Sequence, residues 1–159
     1  MSWEALIPYA AGLGNTEFAM WLGQSTLRIA GLLTVHLFGL TLLLGSIVIS
    51  SLQLLGALER HPSVDARRDV KLVTLGGLAV ILASGLLIFT GGAEAYYIGY
   101  WFRLKMVLLG LALLFHFTVH RAVLNDIGRF SMATRRLTGI ASLLLWFSVA
   151  CAGRAIAFF

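Results

Sequence analysis

Charge is scarce in this chain. Charged residues make up 12% of it against 59% hydrophobic, and the mean hydropathy is +0.90, whereas a soluble domain carries about 25% charged residues. That shortage excludes a soluble globular protein, and the high hydrophobicity excludes a disordered chain. Cysteine is nearly missing: Cys151 stands alone, so no disulfide closes within the chain and a disulfide scaffold is excluded. Acids number 7 against 12 Lys and Arg, and none lies inside an apolar run. An ion-coupled transporter and a hydrolytic triad are disfavoured by the lack of an intramembrane carboxylate. No glycine-rich phosphate loop occurs either, because Gly91-Gly92 closes an apolar stretch instead of opening one.

What the chain does have is long apolar runs. Residues 29–58 carry no charge at all, which is more than the roughly 20 residues needed to cross a hydrocarbon core. Three further runs follow. The pattern predicts an all-α polytopic membrane protein, an antiparallel four-helix transmembrane bundle over 26–159, with spans at about 27–58, 70–90, 101–120 and 135–155. The intervening stretches are a charged loop at 59–71, an aromatic loop at 91–100 and a basic loop at 121–136.

The first 25 residues form a separate interfacial segment. They lack a basic start, and Glu4, Pro8 and Glu17 break their apolar stretches, so they do not read as a cleavable signal. Trp3, Tyr9, Phe18 and Trp21 suit the membrane interface, with Thr16 placed to cap a short helix.

Basic residues divide unevenly. Arg60, Arg67, Arg68 and Lys71 in the first loop and Arg121, Arg129, Arg135 and Arg136 in the third lie on one side. That side is expected to be cytoplasmic, which puts both termini outside a bacterial inner membrane. The net charge of +5 is thereby a topology signal, and no nucleic-acid partner is expected; the partners are the bilayer and a redox protein or quinone.

The chemistry rests on histidines. His36 lies in the first span and His116 and His120 in the third, with His61 in the charged loop beside Pro62. Intramembrane histidines are costly and usually face the bundle interior. Counted from the outer helix ends at about 1.5 Å per residue, His36 lies roughly 15 Å deep and His116 roughly 18 to 22 Å. Two imidazoles from different helices at one depth suit the two axial positions of a b-type haem. Gly39 and Ala112 share the histidine faces and leave room for a macrocycle, or equally let helices approach closely. Hydrogen bonds to Thr34, Ser84 or Thr118 would instead make these histidines packing residues. His116 and His120, one turn apart, also permit a copper or zinc site.

Four cations stand on the outer side, Arg28, Arg103, Lys105 and Arg154. They are candidates to bind haem propionates at the bundle mouth, or to snorkel to headgroups. A quinone carbonyl has candidate partners in His120 and Arg121 on one side and Tyr96, Tyr97 and Tyr100 on the other.

The stretch Val35-His36-Leu37-Phe38-Gly39 with Leu44-Gly45 and Leu54-Leu55-Gly56, and the stretch Trp101-Phe102-Arg103-Leu104-Lys105-Met106 leading to His116, resemble an uncharacterised bacterial family of small four-helix membrane proteins. That family is broadly similar to the membrane cytochrome b and copper-resistance D groups. The resemblance implies an electron carrier with one haem b on His36 and His116 and Lys105 at the mouth. Spans two and four lack histidine, so a second haem is not expected, and the scattered methionines Met1, Met20, Met106 and Met132 speak against copper import. The expected function is transfer of electrons between the quinone pool and a partner. The alternatives are a cofactor-free anchor or assembly subunit, and a copper-handling protein.

Overall fold

The computed structural model describes Pro8, Gly12 and residues 14–58, 63–156 and 158, apart from the side chains of Glu94 and Ala95. Trp3, Tyr9, Arg60 and His61 lie outside the described residues. Within them the chain is helical throughout: α1 is Glu17–Gly23, α2 Thr26–Leu55, α3 Val64–Thr90, α4 Ala93–Ile98, α5 Tyr100–Asn125 and α6 Met132–Ala155. The helices α2, α3, α5 and α6 are long and apolar enough to cross a membrane. In lipid this is the expected solution, because every backbone N–H and C=O is satisfied within its own helix.

Local chemistry sets the ends. Thr16, Ser63 and Ser131 each accept a hydrogen bond from a backbone N–H three residues on, at 3.3, 3.1 and 3.2 Å, capping α1, α3 and α6. Gly56 ends α2 in the left-handed region at φ 82°, and Ala57 N–H returns to Leu52 O as a glycine cap allows. The cap at Ser63 starts α3 six residues before the apolar run at 70. Much of the predicted charged loop is therefore helix, and Arg67, Arg68 and Lys71 ride on its first turns. Hydropathy reports only the apolar stretch, while the serine that begins the helix is polar.

The packing order is α3, α2, α6, α5, each pair antiparallel; α3 and α5 have no comparable contact. Glycines set the close approaches. A Cβ on Gly77 would meet Leu43 N at 2.7 Å and Gly39 O at 3.0 Å, and one on Gly139 would meet Ser51 O at 3.0 Å. Leu43, Ile47, Ile81, Ala112, Trp146 and Val149 form the central core, and Leu54, Val123 and Ile127 a second cluster toward the connections α2–α3 and α5–α6. We call that the basic end and the opposite one the aromatic end. At the latter, Phe89 of α3 stacks on Phe102 of α5 at 5.2 Å between centroids, and Tyr96 flanks Phe102. Gly39 lies against Val80 and Ile81 of α3, and Ala112 packs in the central core.

Candidate functional site

The three intramembrane histidines divide between two places. His36 belongs to the aromatic-end half. Its Nδ1 lies 2.9 Å from Ser84 Oγ on α3, and Ser84 donates its single hydroxyl proton to Val80 O one turn back. Ser84 can then only accept from the ring, so Nδ1 of His36 carries the proton and Nε2 bears the lone pair. A glycine makes this possible, since a Cβ on Gly85 would come within 3.3 Å of His36 Cε1. Ser84→Ala is expected to cost about 0.6 kcal/mol of stability, the usual worth of an interhelical side-chain hydrogen bond in a membrane, as read from unfolding in mixed micelles.

The outer cations make different contacts. Arg28 donates to Trp21 O at 2.6 Å and lies 4.1 Å over the Trp21 ring, which ties α1 to the start of α2. Arg154 lies 4.5 Å over Phe158. Lys105 runs along Gly153, whose Cβ would meet its Nζ at 3.4 Å. Arg103 has a buried Nε without a hydrogen-bond partner.

His116 and His120 occupy the basic-end half, on a five-residue π turn His116–His120 within α5. Such turns occur mostly as single inserts at functional sites. The wider turn stacks the two imidazoles, with centroids 5.0 Å apart and 23° between planes. Trp146 of α6 and Phe117 meet His116 edge-on, at 6.3 and 5.2 Å. His120 is 0% exposed; neither of its ring nitrogens has a protein partner, nor has His116 Nδ1.

These rings border a cavity of about 390 Å³ between α2, α3 and α5. Ser50 and Gln53 line it from α2, Arg67, Arg68, Lys71 and Thr74 from α3, and Phe117, Arg121 and Leu124 from α5. Among the described residues, no acidic side chain lines it. The lining therefore combines two imidazoles, apolar side chains and the cations Arg67, Arg68, Lys71 and Arg121. It suits a flat ring or head group that accepts hydrogen bonds and carries or acquires negative charge. Sequence reading placed His120 and Arg121 here as partners of a carbonyl, but it left Arg67, Arg68 and Lys71 as loop charges and missed Ser50, Gln53 and Thr74. The signal that was available is Ser63, the cap that makes 64–71 helical.

The structure does not bring His36 and His116 together. Leu54 of α2 packs with Val123 of α5, and both helices run the same way. His116, seven residues before Val123, is therefore level with Ile47, eleven residues past His36. At about 1.5 Å per residue that is roughly 16 Å along the bundle, farther than two imidazoles can close on one iron. Among the described residues, no three of His, Cys, Asp and Glu meet as a metal site.

The chain belongs to the family of unknown function DUF6644, which it matches over residues 14–159. Neither a curated protein nor a solved structure matches it.

Proposed function

We propose that the protein is a membrane electron-transfer subunit that binds the head group of a lipid-soluble quinone in the basic-end cavity. One observation carries the reading: a wholly buried histidine, His120, has two unpartnered ring nitrogens and is among the residues that line a cationic cavity. Buried polar groups in folded proteins are almost always paired, so an unpaired imidazole bordering a cavity favours a hydrogen-bonding guest. A quinone carbonyl accepts the imidazole N–H, the ring rests against Phe117, and Arg67, Arg68, Lys71 and Arg121 stabilise negative charge that develops on reduction. Electrons are exchanged with a partner redox protein. The basic end is cytoplasmic in this reading, with both termini outside a bacterial inner membrane.

The test is binding of short-tailed benzo- and naphthoquinones to the protein in nanodiscs, followed by quenching of tryptophan fluorescence. Saturable binding is expected. A wild-type protein that quenches only in proportion to partition into the bilayer overturns the proposal and leaves the anchor or assembly subunit.

A second reading rests on His36. An imidazole that donates from Nδ1 to a fixed acceptor and keeps Nε2 free has the orientation usual for metal-ligating histidine, and the resemblance to membrane cytochrome b groups favours haem. A single haem b on both His36 and His116 does not fit the arrangement, so this reading assigns the haem to His36 alone. The reduced-minus-oxidised spectrum of protein expressed with ample haem is then expected to show a b-type band that His36→Ala abolishes and His116→Ala leaves. Copper handling has only His116 and His120 to offer among the described residues.

A further inference from the structure

The cations that line the basic-end cavity come from two helices. Arg67, Lys71 and Thr74 follow one another at spacings of four and three along one face of α3, with Arg68 beside them, and Arg121 comes from α5. Asp65 and Asp69 share the first turns of α3 without lining the cavity. Positive charge from both helices therefore acts on one space, and a cleft of one sign concentrates ions of the other.

The same space is open sideways. α3 packs on α2 and α5 on α6, whereas α3 and α5 have no comparable contact with each other, so no helix packing closes the seam between them. Leu75 of α3 and Phe117 of α5 line the cavity and are still 39% and 40% exposed. Leu75 lies four residues past Lys71, and Phe117 four before Arg121. Because the two helices run in opposite directions, both apolar side chains stand about 6 Å nearer the membrane centre than those cations. Charge toward the basic end and hydrocarbon one turn deeper is the layering of an amphiphile.

We infer that the seam between α3 and α5 binds an anionic phospholipid, its phosphate held by Arg67, Arg68, Lys71 and Arg121 and an acyl chain lying along Leu75 and Phe117. Phosphate is the head chemistry that fits. Guanidinium forks match its oxygens in pairs. A tetrahedral group also presents oxygens to α3 and α5 at once, whereas a carboxylate presents two in one plane. A head group that adds an ammonium is disfavoured. Among the described residues no acid lines the cavity to receive it, and Phe117 is the single phenyl ring there, short of the cage that a quaternary ammonium needs. Basic pockets between membrane helices bind anionic head groups in this way. The site goes beyond the quinone reading and does not depend on it; where both hold, lipid phosphate and reduced quinone compete for the same cations.

Native mass spectrometry of the full chain in a non-ionic detergent, with no quinone present, tests the site. Dioleoylphosphatidylglycerol is expected to stay bound as a single adduct, and dioleoylphosphatidylcholine, which has the same chains and an added ammonium, to bind about tenfold more weakly or worse. Lys71→Gln with Arg121→Gln should lower occupancy by the anionic lipid about tenfold. Arg129→Gln with Arg136→Gln removes the same charge from the basic end outside the cavity and should leave occupancy nearly unchanged. Equal loss in the two double variants overturns the inference, as does equal retention of the two lipids. Inorganic phosphate in millimolar excess is expected to leave the adduct in place; displacement would assign the cations to a soluble phosphate and overturn the lipid assignment. If Arg121→Gln spoils folding, Arg67→Gln with Lys71→Gln, both at exposed positions, is read instead, and undiminished lipid binding there overturns the inference.

Discussion

Gly77→Val is expected to cost about 2 to 3 kcal/mol and to open the bundle between α2 and α3. The reason is what the new side chain would meet. A Cβ at 77 comes to 2.7 Å from Leu43 N and 3.0 Å from Gly39 O, and neither atom can rotate away. Overpacking a tight contact ordinarily costs about 1 to 3 kcal/mol, and here only separation of the helix axes relieves it. Gly76 provides the comparison, since nothing lies within 4 Å of a Cβ there; Gly76→Val should stay within about 0.5 kcal/mol of the parent. Gly39→Ala should fall between, because its nearest obstacle is the Val80 side chain at 2.7 Å. Unfolding in mixed micelles ranks the three variants. The separation also reaches the site, because Ser84–His36 and Thr74–Ser46 bonds bridge the same two helices. Equal stability of the Gly76 and Gly77 variants would refute this account of the interface.

His120→Leu should move binding and stability apart. Loss of the imidazole removes the group proposed to hold the quinone carbonyl, and affinity is expected to fall at least tenfold, which is about 1.4 kcal/mol. Stability should be unchanged or slightly higher, because a buried ring whose two nitrogens have no protein partner is exchanged for an apolar side chain of similar size. A residue that only packs the core would show the reverse, a destabilised protein with unaltered affinity. Quinone titration and micelle unfolding on the same preparation separate the two outcomes.

Much of the architecture is legible in the residues alone. The apolar runs locate α2, α3, α5 and α6, and Thr16 marks the start of α1. The start of α3 was misplaced, because its first turns hold Asp65, Arg67, Arg68 and Asp69 and read as loop by hydropathy. The site was legible in its parts and not in its grouping. Ser84 stood among three hydroxyls that could meet a histidine; Thr34 and Thr118 instead bond Ala30 O and Leu114 O of their own helices. Counting from helix ends put His36 and His116 at similar depth. That count assumes that the helix ends are level, and no sequence rule sets the shift between α2 and α5. The π turn that stacks His116 on His120 has no signature in His-Phe-Thr-Val-His.

The sequence by itself determined that the protein lies in a membrane, that it crosses with four helices and that one end is basic. These follow from the solvent: lipid penalises an exposed peptide group or a charge wherever it occurs, so each segment answers alone. Which side chains face each other was decided only in the folded bundle. Gly39, Gly77 and Gly139 set how closely and at what shift the helices meet, and that shift places His36 on Ser84 and gathers His116 and His120 behind the basic cavity. Contacts between segments distant in the chain depend on packing that no single segment encodes.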